Sequence, residues 1–335
     1  MMKHIRTFLF LALCLGIGVG IGKIIVWWRH QPTTTPPAIV TGVGRLPHYR
    51  GFTVEPHAGT TPQAIAELVT AVHSLHATSL AIHYPASGNG QDLSQFMQTL
   101  RALPAARDLP LVLLPPATPA SGIMNPYPRP LPEIAAEAQR LGFTLFVATW
   151  LTREPDEAYW RSQFTAIRKA FTGKLILAAD YELIAGLDCW DAVDYVATFS
   201  TWDLTEKPLP SIHDLRIAWQ ARFDTFESLG ELHKKQVFVL DLGFPPIKPP
   251  ASAKKPAPDL QLSNYEALLL ETKGRTQTDG FFFRAWNLGT ATPDPMAVNA
   301  RPEILQIVDE IWKSTALPPP NQAPAVSETE PDLDD

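Results

Sequence analysis

The sequence predicts an α/β protein, a single (β/α)8 TIM barrel preceded by one N-terminal transmembrane helix. Short β-type runs alternate with helical patterns along the chain, as a parallel-sheet fold requires. Several of these runs are almost continuously apolar, which is typical of strands buried on both faces. The chain has 335 residues and is 45% hydrophobic, enough for one barrel of about 250 residues with a large core.

The first predicted element is a membrane-spanning helix. Lys3 and Arg6 precede a largely apolar run from Thr7 to Trp28, which carries Lys23 near its end. This run would form about 33 Å of helix, enough to cross a hydrocarbon core of about 30 Å. Because basic residues precede the run, we expect a single-pass protein of the cell membrane whose C-terminal domain is extracytoplasmic, in the periplasm or on the outer surface.

Two other interpretations of this segment stay open. A cleaved signal peptide would need a small-residue site after the apolar run, and no A-x-A-like site follows it. A lipoprotein signal would use Cys14, but Leu13 stands where a small residue is required. The uncleaved anchor is the favoured interpretation, and the membrane is therefore an expected partner.

Composition divides the chain into four segments. Residues 1–30 are the anchor, and the Pro/Thr-rich residues 31–50 are a spacer. Residues 51–315 are the barrel. Residues 316–335 are rich in Pro, Glu and Asp and are predicted to be a disordered acidic tail.

The elements of the barrel follow in order along the chain. The predicted strands are Gly51–Glu55, Ser79–Tyr84, Leu109–Leu114, Thr144–Thr149, Lys174–Ala179, Tyr195–Ser200, Gln236–Leu242 and Gly280–Ala285. The predicted helices are Gln63–His76, Leu93–Leu103, Glu133–Leu141, Asp156–Phe171, a short one near Cys189–Val193, Ile212–Lys234, Ser263–Lys273 and Arg301–Lys313. Thr61 and Pro62 suit a helix N-terminus, and Gly142 and Gly173 suit left-handed C-caps.

Several classes of function are disfavoured by composition. The net charge is −6 and no basic stripe is present, which argues against nucleic acid as a partner. The nine histidines show no metal-ligand spacing, so no metal is predicted. No glycine-rich phosphate loop follows the first strand, and no cofactor is predicted.

The candidate site lies at the C-terminal ends of the strands, where barrels carry their function. The predicted substrate-binding residues are Glu55, His83, Tyr84, Tyr181, Trp202, Asp203, Arg284 and Trp286. Polar and aromatic side chains that converge on one mouth suit a sugar, which stacks its C–H faces and hydrogen-bonds its hydroxyls. The same residues also arise simply because strand ends meet water.

Asp241 is the strongest single candidate. It ends the apolar run Val237–Leu240, and a carboxylate at the mouth end of a barrel strand usually has a task. The alternative is a structural ion pair with Arg284 on the neighbouring eighth strand. The sequence favours neither interpretation over the other.

The chain resembles glycoside hydrolase family 113, the β-mannanase-like barrels of clan A, over roughly Gly51 to Lys313. The segments that carry the resemblance are Trp160–Arg168, Phe171–Leu175, Cys189–Val196, Phe238–Pro246, Gly280–Trp286 and Asn299–Ile304. The resemblance implies a retaining glycosidase with an acid/base glutamate after the fourth strand and a nucleophilic glutamate after the seventh.

The sequence departs from the family at both catalytic positions. Trp150 stands in place of the acid/base and Asp241 in place of the nucleophile. An indole cannot donate a proton to a leaving group near neutral pH, and aspartate is shorter than glutamate by about 1.5 Å. Glu154 is the candidate substitute acid, with Glu55 and Glu182 as further candidates.

Three hypotheses follow from the resemblance and these departures. The leading one is a catalytically degenerate, membrane-anchored glycosidase barrel, a pseudoenzyme that binds a polysaccharide, an envelope glycan or a protein partner at the barrel mouth. The second is an active hydrolase of a β-linked polysaccharide that uses Asp241 with a relocated acid. The third is a structural protein of the cell envelope.

Overall fold

Eight parallel strands close into a barrel in the computed structural model of the protein. The structure describes residues 46–85, 90–117, 125–199, 204–205, 207, 209–245, 259–272, 275, 277–289 and 294–313. Each strand pairs with the next in sequence, and the last pairs with the first, where Tyr49 lies opposite Gly280. The strands are β1 Tyr49–Val54, β2 Ser79–His83, β3 Leu111–Leu114, β4 Leu145–Val147, β5 Lys174–Ala179, β6 Tyr195–Phe199, β7 Gln236–Leu242 and β8 Thr278–Phe283. The predicted barrel is confirmed.

The helices surround this barrel at the places where the sequence predicts them. They are α1 Pro62–Ser74, α2 Gly90–Ala102, α3 Leu131–Leu141, α4 Glu157–Ala170, α5 Tyr181–Ile184, α6 Ile212–His233, α7 Leu260–Thr272 and α8 Pro302–Lys313. The short helix predicted near Cys189–Val193 is a 3-10 turn over Trp190–Ala192. The four-residue helix α5 was not predicted.

Helix ends follow local capping chemistry, with one exception. The Thr61 hydroxyl accepts from the Ala64 N–H at the start of α1, and Gly142 ends α3 with φ +78. The prediction of a left-handed cap at Gly173 is wrong, because α4 ends at Phe171 in extended conformation. Glycine is required at position 173 because the backbone of Thr144 approaches it closely. A Cβ on Gly173 would lie 2.5 Å from the Thr144 carbonyl oxygen.

Two apolar clusters result from the alternation of side chains along the strands. The inner cluster consists of strand residues alone and fills the barrel: Ala81, Val112, Leu114, Leu145, Val147, Ile176, Ala178, Ala197, Phe199, Phe238, Leu240 and Phe282. The outer cluster joins the opposite strand faces to the helices. Alternation therefore tells which side chains at the strand ends point into the mouth of the barrel.

The predicted segments on either side of the barrel lie outside the described residues. They are the anchor of residues 1–30, most of the spacer and the acidic tail. Among the described helices, none combines the length and apolar character that crossing a membrane demands. The barrel begins within the predicted spacer, because Tyr49 and Arg50 pair with β8.

Gly51 is a position where the seam between β1 and β2 tolerates no side chain. A Cβ there would lie 1.9 Å from the Ser79 carbonyl oxygen, a backbone atom of the paired strand. We expect Gly51→Ala to lower the free energy of unfolding by about 1–3 kcal/mol, the usual cost of overpacking. Chemical denaturation measures this. Gly186→Ala, where the nearest atom is 3.7 Å away, is the matched control and should change stability little.

Candidate active site

A local irregularity in β7 directs Asp241 into the barrel mouth. Phe238 and Leu240 belong to the inner cluster, whereas Val239 and Leu242 belong to the outer one. Asp241 is thus an extra residue between an inward and an outward position, and the register with β8 shifts between Val239 and Leu242. Its φ of +50 is unusual for a residue other than glycine. Bulges of this kind commonly redirect a side chain at a functional site.

The Asp241 carboxylate is only 3% exposed and is contacted on both oxygens. The Thr53 hydroxyl donates to Oδ1 at 2.8 Å, and His83 Nε2 lies 3.4 Å from the same oxygen. Arg284 Nη1 donates to Oδ2 at 3.3 Å. The ion pair with Arg284 that the sequence suggested is present, and a second cationic partner joins it.

The charges of this cluster hold one another ionised. Burial by itself raises the pKa of Asp241, but His83, Arg284 and the Thr53 hydrogen bond outweigh it, so the pKa lies below its usual range. Burial likewise lowers the pKa of His83, and attraction to Asp241 and Glu55 reverses this, so the pKa is raised. The geometry agrees, because His83 Nδ1 lies 2.6 Å from the Pro115 carbonyl oxygen, which can only accept. With a proton on Nδ1, a further proton on Nε2 makes the ring an imidazolium, whose charge pairs with Asp241 at 3.4 Å.

Arg284 is held from its other side by the loop after β8. Its Nε donates to Asp294 Oδ2 at 2.9 Å. The Asp294 N–H donates to Asn287 Oδ1, and Asn299 Nδ2 donates to the Asn287 carbonyl oxygen. This network fixes the guanidinium between two carboxylates.

A cavity of about 270 Å³ opens above the cluster. It lies at the mouth ends of β7, β8, β1, β2 and β3. Its lining combines carboxylates, two histidines and one indole: Glu55, His57, His83, Ala117, Asp241, Arg284, Ala285, Trp286, Asn287, Leu288 and Asp294. His57 Nε2 is buried there and has no hydrogen-bond partner within the described part of the chain.

A second irregularity directs Trp150 inward on the opposite side of the mouth. The Thr149 hydroxyl donates to the Ala178 carbonyl oxygen and accepts from the Ala178 N–H, so its side chain takes the place of a backbone ladder contact. Trp150 follows and packs against the inner cluster, stacked on Phe199 at 4.0 Å and 15°. Its Nε1 donates to Asp180 Oδ1 at 3.3 Å.

A known protein family matches more than half of this chain. The sequence profile of Glycoside Hydrolase Family 113 matches residues 125–301. The chain belongs to glycoside hydrolase family 113. The matched residues run from the loop before α3 to the start of α8, so β4 and β7 both lie inside the match.

Solved structures of family 113 β-mannanases and of a β-glucuronidase share the fold of this barrel. A β-mannanase from Alicyclobacillus acidocaldarius is 16% identical, with 82% of this chain and 98% of that chain covered and a TM-score of 0.58. Another family 113 β-1,4-mannanase is 14% identical, with 81% and 99% covered and a TM-score of 0.60. A β-glucuronidase from Faecalibacterium prausnitzii is 16% identical, with 81% and 49% covered and a TM-score of 0.56. No curated protein matches the sequence significantly.

Half of the residues predicted to bind substrate line the cavity of the family 113 barrel, and two lie elsewhere. Glu55, His83, Arg284 and Trp286 line it together with Asp241. Tyr84 is instead fully buried, and its hydroxyl contacts Arg129 and Glu137 on the helix side. Tyr181 packs on α6, where its hydroxyl donates to Thr225. Both tyrosines face helices because each directly follows an inward-pointing residue, His83 or Asp180, so alternation directs it outward.

The remaining predicted residues have different outcomes. Trp202 and Asp203 lie outside the described residues. Glu154 is exposed and is not part of the cavity lining. Trp150 is half-buried on the far side of the mouth and does not fill the cavity.

Two residues of the cluster were not predicted from the sequence. Thr53 is a polar residue in a buried strand, and such a residue needs a partner, so its sequence position carried a signal. Asp294 lies in a proline-rich loop and carried none.

The paired charges predict a defined pH range of maximum stability. Because the pKa of His83 is raised, its contribution is complete below about pH 6.5 and is lost as the pH rises through the raised pKa. Because the pKa of Asp241 is lowered, its contribution is present above about pH 3.9 and is lost as the pH falls through the lowered pKa. We therefore expect these groups to favour the highest Tm between about pH 4 and 6.5.

Thermal melts of wild type, His83→Gln and His213→Gln across this range check the expectation. His213 is exposed on α6 and serves as the control. The decline of Tm above pH 6.5 should be smaller in His83→Gln and unchanged in His213→Gln. An identical decline in all three proteins would contradict the role of the buried pair.

Proposed function

We propose that this family 113 barrel binds a neutral sugar at its mouth without hydrolysing it, and that it does so outside the cytoplasmic membrane. The main observation behind the proposal is that the carboxylate of Asp241 already has partners on both oxygens. Both of its oxygens are hydrogen-bonded or ion-paired, and its charge is neutralised by Arg284 and, when protonated, by His83. A carboxylate in this state is a weak nucleophile, because attack on a sugar carbon would require it to give up these contacts.

The second support is the absence of a proton donor at the position that the family resemblance assigns to it. Trp150 stands there, and its N–H already donates to Asp180. Indole does not ionise near neutral pH, so Trp150 cannot protonate a leaving oxygen. Retaining hydrolysis needs both groups, and neither is available in the usual form.

The cavity itself supports binding of a sugar ring. Its volume of about 270 Å³ is close to the lower end of the range of about 300–1,000 Å³ for small-molecule sites. Trp286 offers an aromatic surface, and Glu55, His57 and Asn287 offer hydrogen-bonding groups. Because three carboxyl groups face one guanidinium and one imidazolium, the cavity favours a neutral sugar over a uronic acid.

An active hydrolase is the second candidate, and one observation favours it. Glu55 is exposed and lines the same cavity as Asp241, so a carboxyl group is available in place of the missing donor. In that case Glu55 protonates the leaving oxygen and Asp241 attacks the sugar or activates water.

Hydrolysis and binding are measured separately to decide between these candidates. The full chain in detergent is incubated with β-mannan, β-glucan and peptidoglycan fragments, and release of reducing ends is followed alongside calorimetric binding of β-1,4-linked manno-oligosaccharides. We expect binding without turnover, and about tenfold weaker binding in Trp286→Ala because a stacking contact is lost.

Two controls accompany this experiment. Leu232→Ala removes an apolar side chain that is 74% exposed on α6 and should leave binding unchanged. Reducing ends released by the wild type and lost in Glu55→Gln, but not in Glu67→Gln on the exposed face of α1, would establish the hydrolase instead.

The membrane location is proposed from the sequence of residues 1–30. Full-length protein should stay in the membrane pellet after alkaline carbonate extraction, whereas a chain that starts at residue 31 should be released. Protease added to intact cells or spheroplasts should digest the barrel. Release of the full-length protein by carbonate would contradict the anchor.

A further inference from the structure

The second half of the barrel mouth carries an aromatic surface that the cavity does not use. Trp150 lies on Phe199 with ring centroids 4.0 Å apart and planes 15° apart, so one face of the indole is covered. Phe199 is 1% exposed and belongs to the barrel interior, whereas Trp150 remains partly exposed. Trp150 therefore keeps a partly accessible surface just past the end of β4.

Asp180 stands beside this surface and fixes its orientation. On β5 the inner cluster contains Ile176 and Ala178, so alternation directs Asp180 into the mouth as well. Its Oδ1 accepts from Trp150 Nε1 at 3.3 Å, which restrains rotation of the indole. A carboxylate accepts more hydrogen bonds than this one contact uses. Partial burial raises the pKa of Asp180, which reflects a carboxylate deprived of water and favours a hydroxyl partner.

An oriented indole face next to a carboxylate acceptor matches what a pyranose ring needs. The ring stacks its C–H face on the indole, and its hydroxyls donate to the carboxylate. Neither Trp150 nor Asp180 lines the cavity that contains Asp241. The two places lie on adjoining arcs of the strand order, β4–β6 for Trp150 and its partners and β7–β3 for the cavity.

We propose that Trp150 and Asp180 form a second sugar subsite, so that the mouth holds a β-linked oligosaccharide that extends across the barrel from the Asp241 cavity to Trp150. This inference rests on the proposed function, because it extends the same binding site. It gives the indole at the position of the missing acid a role in binding and selects oligosaccharides over single sugars.

Affinity as a function of ligand length tests the inference. The full chain in detergent is titrated by calorimetry with mannose and with β-1,4-linked mannobiose, mannotriose and mannotetraose. We expect affinity to rise at least tenfold between mannose and the length that first reaches Trp150. Trp150→Ala should remove this gain, about tenfold, and leave mannose affinity unchanged.

Further variants separate a sugar contact from a loss of folding. Trp150→Phe keeps a stacking face and should retain most of the gain, whereas Asp180→Asn keeps the shape and should lose a part of it. Glu182→Gln, an exposed carboxyl group two residues further on, is the matched control and should keep the full gain. Thermal melts of each variant show whether it is folded.

The outcomes distinguish this inference from the proposed function. Mannose binding with no gain from longer ligands, or a gain that survives both Trp150→Ala and Asp180→Asn, overturns the second subsite and leaves the proposed function intact. No binding of any ligand by the wild type overturns both. Turnover that is lost in Asp180→Asn would make Asp180 a proton donor and also overturn the inference.

Discussion

The buried charge of Asp241 is the constraint on which the barrel mouth depends. A carboxylate that is 3% exposed is costly unless cations and hydrogen-bond donors surround it. Here the donors come from three other strands or their ends: Thr53 from β1, His83 from β2 and Arg284 from the end of β8. These groups meet only because the barrel is closed, with β8 paired to β1. The charge cluster and the closure of the barrel therefore support each other.

Backbone irregularity gives the mouth its two halves. Regular alternation would send the residue after Leu240 outward, but a bulge with positive φ sends Asp241 inward. On the opposite side, the Thr149 side chain replaces a ladder contact and Trp150 comes to lie on Phe199. Both irregularities coincide with the positions to which the family resemblance assigns the catalytic glutamates. At these two positions the backbone directs an ion-paired aspartate and an indole into the mouth.

The two halves of the mouth offer different chemical groups. The cavity half offers charged and polar groups beside Trp286, and the opposite half offers an oriented indole with one carboxylate. Under the function proposed above, the barrel keeps the sugar-binding part of a glycosidase's task and gives up the bond-breaking part.

The sequence by itself determined the (β/α)8 architecture, the place of every strand and the edge at which the site lies. These features depend on local apolar periodicity, capping residues such as Thr61 and Gly142, and the rule that barrel sites form at strand ends. It also named Glu55, His83, Arg284 and Trp286, which line the cavity, since the first three continue inward positions of their strands and Trp286 follows in the loop after β8. Only the tertiary structure decided that Asp241 and Trp150 point inward and that Asp294 holds Arg284. Those outcomes depend on bulges and loop packing, which arise from contacts between residues far apart in sequence.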